Sequence, residues 1–454
     1  MSLRLIEGGR TDSSATGLLI VRAGAVATLA GGIRHGDSQA DTATFDATDV
    51  GGPDAPDAPA VATWGDRIAA VGPRREVEAS LEAAGLPLSR FARIDAGGGL
   101  VTPGLIDPHT HLLFAGSREG ELQLRQRGAG YLEILAAGGG ILSTVAATRA
   151  ASADDLLTHG RHWLDEMLGH GVTTIEAKSG YGLELRTELR LLEVAYQLGH
   201  EGPIDILPTW LGAHAVAPEF RERRDPVEAY VRHLIDEQLP GIAAQGRARF
   251  ADVFCERGVF SADQSRRVLL AAEAYGMRPR LHADELAPSG GAELAAEVSA
   301  LSADHLATPS SAGIDALASA ASSGLPVVAV VLPATTWFLM KSVGAPARTF
   351  IERGIPVAIG TDFNPGTSPT ASLPLAMTIA CLSLGLTPAE TLTAVTINAA
   401  HALGIGDVVG SLEPDKKADL VVWRVPSVDQ LPYWPAADLV RTVIKRGRPR
   451  LQRD

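Results

Sequence analysis

Between about residue 100 and residue 407, eight short apolar runs alternate with longer stretches of helical composition, and almost every run ends in a residue able to ligate, donate or titrate. The runs are GLVTPGLIDPH ending at His109, VTTIEA at Ala177, IDILPTWLGA at Ala213, FADVFC at Cys255, MRPRLHA at Ala283, LSADH at His305, LPVVAVVL at Leu332 and IPVAIGT at Thr361. Strands alternating with helices make a parallel sheet, and eight such units suggest a closed α/β barrel of the (β/α)8, TIM-like kind. At or just past the run ends stand His109, His111, Lys178, His214, Glu256, His282, His305 and Asp362. Barrel enzymes draw their chemistry from the C-terminal strand ends, so five of the twelve histidines gathered there point to a single site.

The flanking segments are β-rich. GLLIVRAGAVAT, from Gly17 to Thr28, alternates like a half-buried strand pair, and VATWGDRIAAVG, residues 61–72, carries a Gly-Asp hairpin turn. Short strands return in GSLEPDKKADLVVW, residues 410–423, and LVRTVIKRGRPR, residues 439–450. The expected organisation is therefore a barrel over 100–407 and a small composite β-sandwich built from 1–99 and 408–454. Within it, residues 33–60 hold Asp, Ala, Gly and Pro and almost no large apolar residue beyond Ile33 and Phe45, so they read as a mobile insertion without regular structure.

A net charge of −13 with no long basic run excludes a phosphate-backbone partner, and the expected partner is a small molecule. The opening MSLRLIEGGR has no signal-peptide core, and the most apolar run, around Val330, is too short to span a bilayer, so a cytoplasmic location is expected. Cys255 and Cys381 belong to no CxxC pair and read as buried small hydrophobes. A homodimer is the expectation from the frequency of closed symmetric assemblies.

In PHTH, residues 108–111, the two histidines are two positions apart, so on an extended strand both rings face one side and can grip one ion. His282 ends the fifth run and Asp362 follows the eighth, which adjoins the first once the barrel closes. Three nitrogens and one carboxylate suit one zinc or iron ion with a position left for water. The fourth run, FADVFCE, offers no lysine to bridge a second ion, and Lys178 reads as well as an ion-paired rim lysine as it does a catalytic one. In HADE, Glu285 is the expected proton shuttle, with Asp284 turned away by strand alternation. His305 and His214 are candidate donors to an oxyanion. The histidines at 35, 159, 162, 170, 200, 233 and 401 read as solvated surface.

The segments PGLIDPHTHLLFAGSR, EAKSGYGLELRTELR, LGAHAVAPEF, DVFCERGVF, LHADELAPSGGAELAAE, SADHL and TDFNPGTSPT together resemble the imidazolonepropionase family of metal-dependent amidohydrolases, from about residue 97 to 425. The resemblance implies hydrolytic opening of the ring of 4-imidazolone-5-propanoate to N-formimidoyl-L-glutamate. It makes His109, His111, His282 and Asp362 the ligands of a divalent or trivalent transition metal and Glu285 the shuttle. It assigns Arg118 to the substrate's propanoate and lines the pocket with Tyr181, His214, Asn364, Gly366 and Thr367. The glycines 138–140 match the family too, as a flexible turn or something more. The same ligand set resembles mononuclear deaminases of purine or pyrimidine bases, from which Arg118 and Tyr181 separate it, since a neutral base needs no cation. A non-catalytic barrel would show eroded ligands, and all four are present.

Overall fold

The computed structural model describes residues 17–128 and 139–453. Eight parallel strands lie side by side in chain order: β1 (Leu105–Asp107), β2 (Val172–Lys178), β3 (Asp205–Ala213), β4 (Phe250–Cys255), β5 (Arg278–Ala283), β6 (Ser302–His305), β7 (Val328–Val331) and β8 (Val357–Ile359). The ring closes just past the ends of β8 and β1. There Asp362 donates its N–H to the His109 carbonyl at 3.0 Å, His111 donates to the Phe363 carbonyl at 2.9 Å, and Thr110 bridges Phe363 in parallel. Closure and the candidate site thus share residues.

Helices wrap the outside because their apolar faces need the sheet. Ala153–Gly169 and Leu185–Glu201 bury Leu156, Leu164, Leu168, Leu191, Leu192 and Leu198 in one core with Ile175. Ser152 and Ser261 start their helices with reciprocal capping boxes.

Alternation along the strands sorts the interior by height. On β4, Phe250, Asp252 and Phe254 succeed one another on the inner face. Phe250 belongs to an apolar floor with Ile106, Leu207, Val328, Val330 and Ala358, against which the helix Ile397–Ala402 packs. Asp252 belongs to a fully buried charged layer with Glu176, Lys178, Arg280 and Asp304. Phe254 stands at the level of the His214 and His282 rings, with centroids at 6.4 and 5.7 Å.

The run ending at His109, expected as one strand, is two. Leu100–Pro103 pairs antiparallel with Leu420–Trp423, away from the barrel, and the chain enters the barrel only at Leu105. Gly104 makes the crossing: a Cβ there would lie 2.3 Å from Oγ1 of Thr173. Chain start and end meet in a six-stranded sheet ordered Arg448–Gln452, Val440–Lys445, Leu420–Trp423, Leu100–Pro103, Ala25–Ala27, Thr44–Asp46. A four-stranded sheet, ordered Arg67–Pro73, Pro59–Trp64, Gly17–Val21, Phe91–Asp95, shares a core with it through Leu18, Ile20, Val61, Val101, Leu420 and Ile444. The strands expected within 17–28 lie in different sheets, and both are fully buried, not half-buried.

Residues 33–60, expected without regular structure, contain two short 3-10 helices, Gly36–Ala40 and Ala47–Val50, and the strand Thr44–Asp46. One polar side chain anchors them. Gln39 is fully buried, gives its amide to the Val357 carbonyl at 2.8 Å and accepts the Val357 N–H at 3.3 Å, at the start of β8. A composition poor in apolar residues hid a segment held by hydrogen bonds.

Candidate metal centre and active site

Four ligand atoms converge at the closure. Nε2 of His111 lies 3.3 Å from Nε2 of His282 and 3.5 Å from Oδ1 of Asp362, and Nε2 of His109 lies 3.5 Å from the same oxygen. Ligand atoms of His109, His111 and His282 fall within 4.8 Å of one another, as do those of His109, His305 and Asp362. Two of the rings are aimed from behind. Nδ1 of His109 meets Oδ2 of Asp304 at 2.7 Å, and Nδ1 of His282 meets Asp252 at 3.0 Å. An ionised carboxylate can only accept, so each Nδ1 carries the proton and each Nε2 a lone pair.

The electrostatics fit a cation. Nε2 of His109 is buried without a hydrogen-bond partner. Burial, with Lys178 and the neighbouring rings, holds His109 and His111 well below the ordinary imidazole value. Burial pulls the same way on His282, but the charge and hydrogen bond of Asp252 more than offset it and raise the ring. Asp362 is pushed up to about 7 by burial, while its Oδ2 accepts from Thr335 at 2.6 Å and leaves Oδ1 facing the nitrogens. A buried carboxyl so placed is one that a bound cation would hold ionised. The backbone turns sharply here: His305 has φ +72° and Asp362 φ +54°, left-handed conformations of the kind that cluster at functional sites.

The other expected residues surround this point. His214 stacks on His111 with centroids 5.0 Å apart, its Nδ1 reaching the Gly180 carbonyl at 3.1 Å, and Tyr181 lies 5.4 Å from the His214 ring. Burial lowers His214 to about 3 and His305 to about 4, so both rings are neutral at pH 7; the single N–H of His214 is spent on the Gly180 carbonyl, which leaves its Nε2 an acceptor and not the donor expected. Glu285 comes within 3.8 Å of Nε2 of His305. Asp284 is turned away, its oxygens taken by the N–H groups of Ser289, Gly291 and Ala292. His305 also stands where it could touch an ion together with His109 and Asp362, beyond the donor role expected for it.

Arg118 is already engaged. Its Nε and Nη2 grip Glu121 at 2.8 and 2.9 Å, and Arg125 joins that carboxylate and the Gly366 carbonyl. Its remaining nitrogen, Nη1, faces Gly366. Asn364 spends its side chain on the loop, accepting from Gly366 and Thr367 and donating to the Asp362 carbonyl and Thr367.

Lys178, read equally as a rim lysine, is buried under the site. Its Nζ contacts Glu176 at 2.7 Å, Asp252 at 2.6 Å and Asp304 at 3.5 Å. Sequence reasoning passed over Asp252, Asp304 and Thr335; Asp252 carried a signal as the lone polar residue on an apolar strand, whereas Asp304 sits among other polar residues in SADH and Thr335 in the short helix Pro333–Phe338. Glu256 ends its strand as expected, but it accepts from Leu286 and Ser289 and so braces the loop that carries Glu285. Four of the histidines read as surface, 159, 170, 233 and 401, are half-buried, and His159 lies edge-on to Phe114 at 4.3 Å. Cys255 is buried as expected and Cys381 only half so. Gly138 lies outside the described residues; Gly140, at φ +79°, gives its N–H to Glu121. Among the described residues, no helix is long and apolar enough to cross a membrane.

Residues 100–449 match the model of the amidohydrolase family. An imidazolonepropionase of Geobacillus kaustophilus is 55% identical over 355 residues, covering 78% of this chain and 82% of that protein. One from Symbiobacterium thermophilum is 48% identical over 432 residues, 95% of this chain and 96% of its own. Among solved structures, an adenosine deaminase from Xanthomonas campestris with bound zinc has a TM-score of 0.64 at 19% identity, covering 96% of this chain and 93% of its own. A 5-methylcytosine deaminase from Klebsiella pneumoniae has 0.65 at 16%, covering 87% and 95%. At that identity the two deaminases share the fold alone.

Proposed function

This chain belongs to the amidohydrolase family and, within it, to the imidazolonepropionases, and on that premise we propose that it opens the ring of 4-imidazolone-5-propanoate by hydrolysis, giving N-formimidoyl-L-glutamate in histidine degradation. The observation that carries the reading is the convergence of three imidazole nitrogens and one carboxylate oxygen in a chain of that ancestry. The family implies a divalent metal ion. In our reading His109, His111, His282 and Asp362 hold it, as zinc or iron, in a cytoplasmic homodimer.

When bound, such an ion supplies Lewis acidity to the amide carbonyl and makes hydroxide available at neutral pH. Glu285 takes a proton from the attacking water. Oxygen adds to the ring carbonyl carbon, the C–N bond breaks, and Glu285 returns the proton to the departing nitrogen. His305, neutral at pH 7, donates to the oxygen as it gains charge, while His214, its N–H spent on the Gly180 carbonyl, accepts from the substrate through Nε2. Arg118, held by Glu121, meets the propanoate with its free edge, and Tyr181 and the Gly366–Thr367 turn close the pocket around it.

The test is loss of the ultraviolet absorbance of freshly generated imidazolonepropanoate, with chelator-stripped protein and Glu285→Gln alongside. Rapid loss that needs both metal and Glu285 is expected, with Glu285→Gln slower by about 100-fold or more. Metal-replete protein that leaves this substrate intact but deaminates a nucleobase would replace the reading.

A further inference from the structure

The charged layer beneath the candidate centre has a specific composition. Two cations, Lys178 and Arg280, face three carboxylates, Glu176, Asp252 and Asp304, and all five are fully buried. Arg280 serves only part of it: Nη2 meets Asp304 at 3.0 Å and the Pro108 carbonyl at 2.7 Å, and Nη1 meets the Ala402 carbonyl at 2.6 Å, tying the floor helix to β1. Lys178 alone reaches all three acids. An ammonium has three donors in a compact head, and here three carboxylates from β2, β4 and β6 stand around it. Two of those carboxylates are the ones that hold Nδ1 of His282 and His109.

We propose that Lys178 is the positioning residue of the metal centre: by binding Asp252 and Asp304 at once it couples the two imidazoles, fixing both ring orientations and both Nε2 lone pairs as one unit. The inference rests on the proposed metal centre and adds a residue to it. The hydrogen bonds of Lys178 Nζ go to carboxylates and to no ligand nitrogen, so its action on the rings runs through the two aspartates. Without it, two buried carboxylates repel each other across the space it filled, and each swings toward its other partners, Asp304 toward Arg280 and Ser302, Asp252 toward the His282 backbone N–H. The rings they orient turn with them. Outer partners of metal-bound histidines carry about 10-fold to 100-fold in metal affinity when removed, and Lys178 stands behind two such partners together.

Chelator competition measures the affinity of the stripped protein for Zn(II), and the visible spectrum of its Co(II) form reports ligand geometry independently of turnover. Lys178→Met is expected to weaken Zn(II) binding about 10-fold to 100-fold and to alter the Co(II) spectrum. Because it leaves one cation against three buried acids, it is paired with Lys178→Met/Glu176→Gln, which restores the original net charge by removing the acid that touches no ligand. A merely electrostatic role predicts that the double variant binds Zn(II) like the parent with the parental Co(II) spectrum, and that result overturns the proposal. Weakened binding and an altered spectrum in a folded double variant support it. A parent protein that takes up neither ion would sink the metal-centre reading itself, and the proposal with it, before any variant is compared.

Discussion

Glu121 holds Arg118 through both carboxylate oxygens, Oε1 to Nε at 2.8 Å and Oε2 to Nη2 at 2.9 Å, and so points the remaining edge of the guanidinium toward the Gly366 loop. Nη1 sits so close to Gly366 that a Cβ there would lie 2.0 Å away. Both residues therefore set where a substrate carboxylate can be met. Glu121→Gln and Gly366→Ala are expected to raise KM for the propanoate substrate about 10-fold or more, the value of a misplaced charge-assisted hydrogen bond, with metal content unchanged. Steady-state kinetics decide it: a loss confined to kcat would place Arg118 elsewhere in the reaction.

Gln39 tests whether residues 33–60 are part of the folded unit. Its amide satisfies the backbone of Val357 on β8 and accepts from Asn398, whose own oxygen takes the Arg34 N–H. Gln39→Leu keeps the bulk but strands these partners in a buried place. The expected cost is about 1–3 kcal/mol of stability, read as a lower thermal midpoint with kcat at 25 °C preserved. An unchanged midpoint would mean the segment is not bound to the barrel as described.

The barrel was legible because its strands are apolar runs of strand length and its ligands follow them at fixed places, as with His282 after MRPRL. The candidate site was legible wherever its members stand at strand ends. What escaped was set by partners distant in the chain. Lys178 and Asp304 are 126 positions apart and reveal nothing of each other until β2 and β6 face across the barrel. The break at Gly104 was hidden for a different reason: the residues on both sides are equally apolar, so periodicity cannot say which sheet each joins.

Asp205, at the start of β3, binds the barrel floor to the composite sandwich. Lys445 and Lys417 reach it at 3.0 and 3.1 Å and Arg446 closes on its other oxygen. Burial opposes its ionisation, but these cations win and hold it at about 2, against an ordinary 3.8. A carboxylate with a depressed folded value stabilises fully above its unfolded value and loses that contribution as pH falls through the folded one. Asp205→Asn should therefore cost about 2 kcal/mol at neutral pH, and the gap in urea midpoint between the two proteins should close between pH 4 and pH 2. A gap that stays constant across that window would show that the ion pairs contribute nothing through charge.

Glu188 supports the substrate side of the site without reaching it. It is fully buried at the start of Leu185–Glu201, and its oxygens take the N–H groups of Gly180 at 3.1 Å, Gly182 at 2.8 Å and Leu183 at 2.9 Å. Gly180 has φ +93°, and the same turn offers its carbonyl to His214 and carries Tyr181 into the pocket. Glu188→Ala leaves three buried donors unanswered and should cost about 3 kcal/mol or more. Glu188→Gln, which keeps one acceptor oxygen, should cost less. Because the turn aims His214 and Tyr181 together, Glu188→Gln should also lower kcat/KM about 10-fold while bound metal, measured by mass spectrometry, stays at the parental level, since the carboxylates that hold the His109 and His282 rings stand on other strands. Metal loss in step with activity would instead place Glu188 behind the ligands, and a variant as stable and active as the parent would show that the turn holds its shape without it.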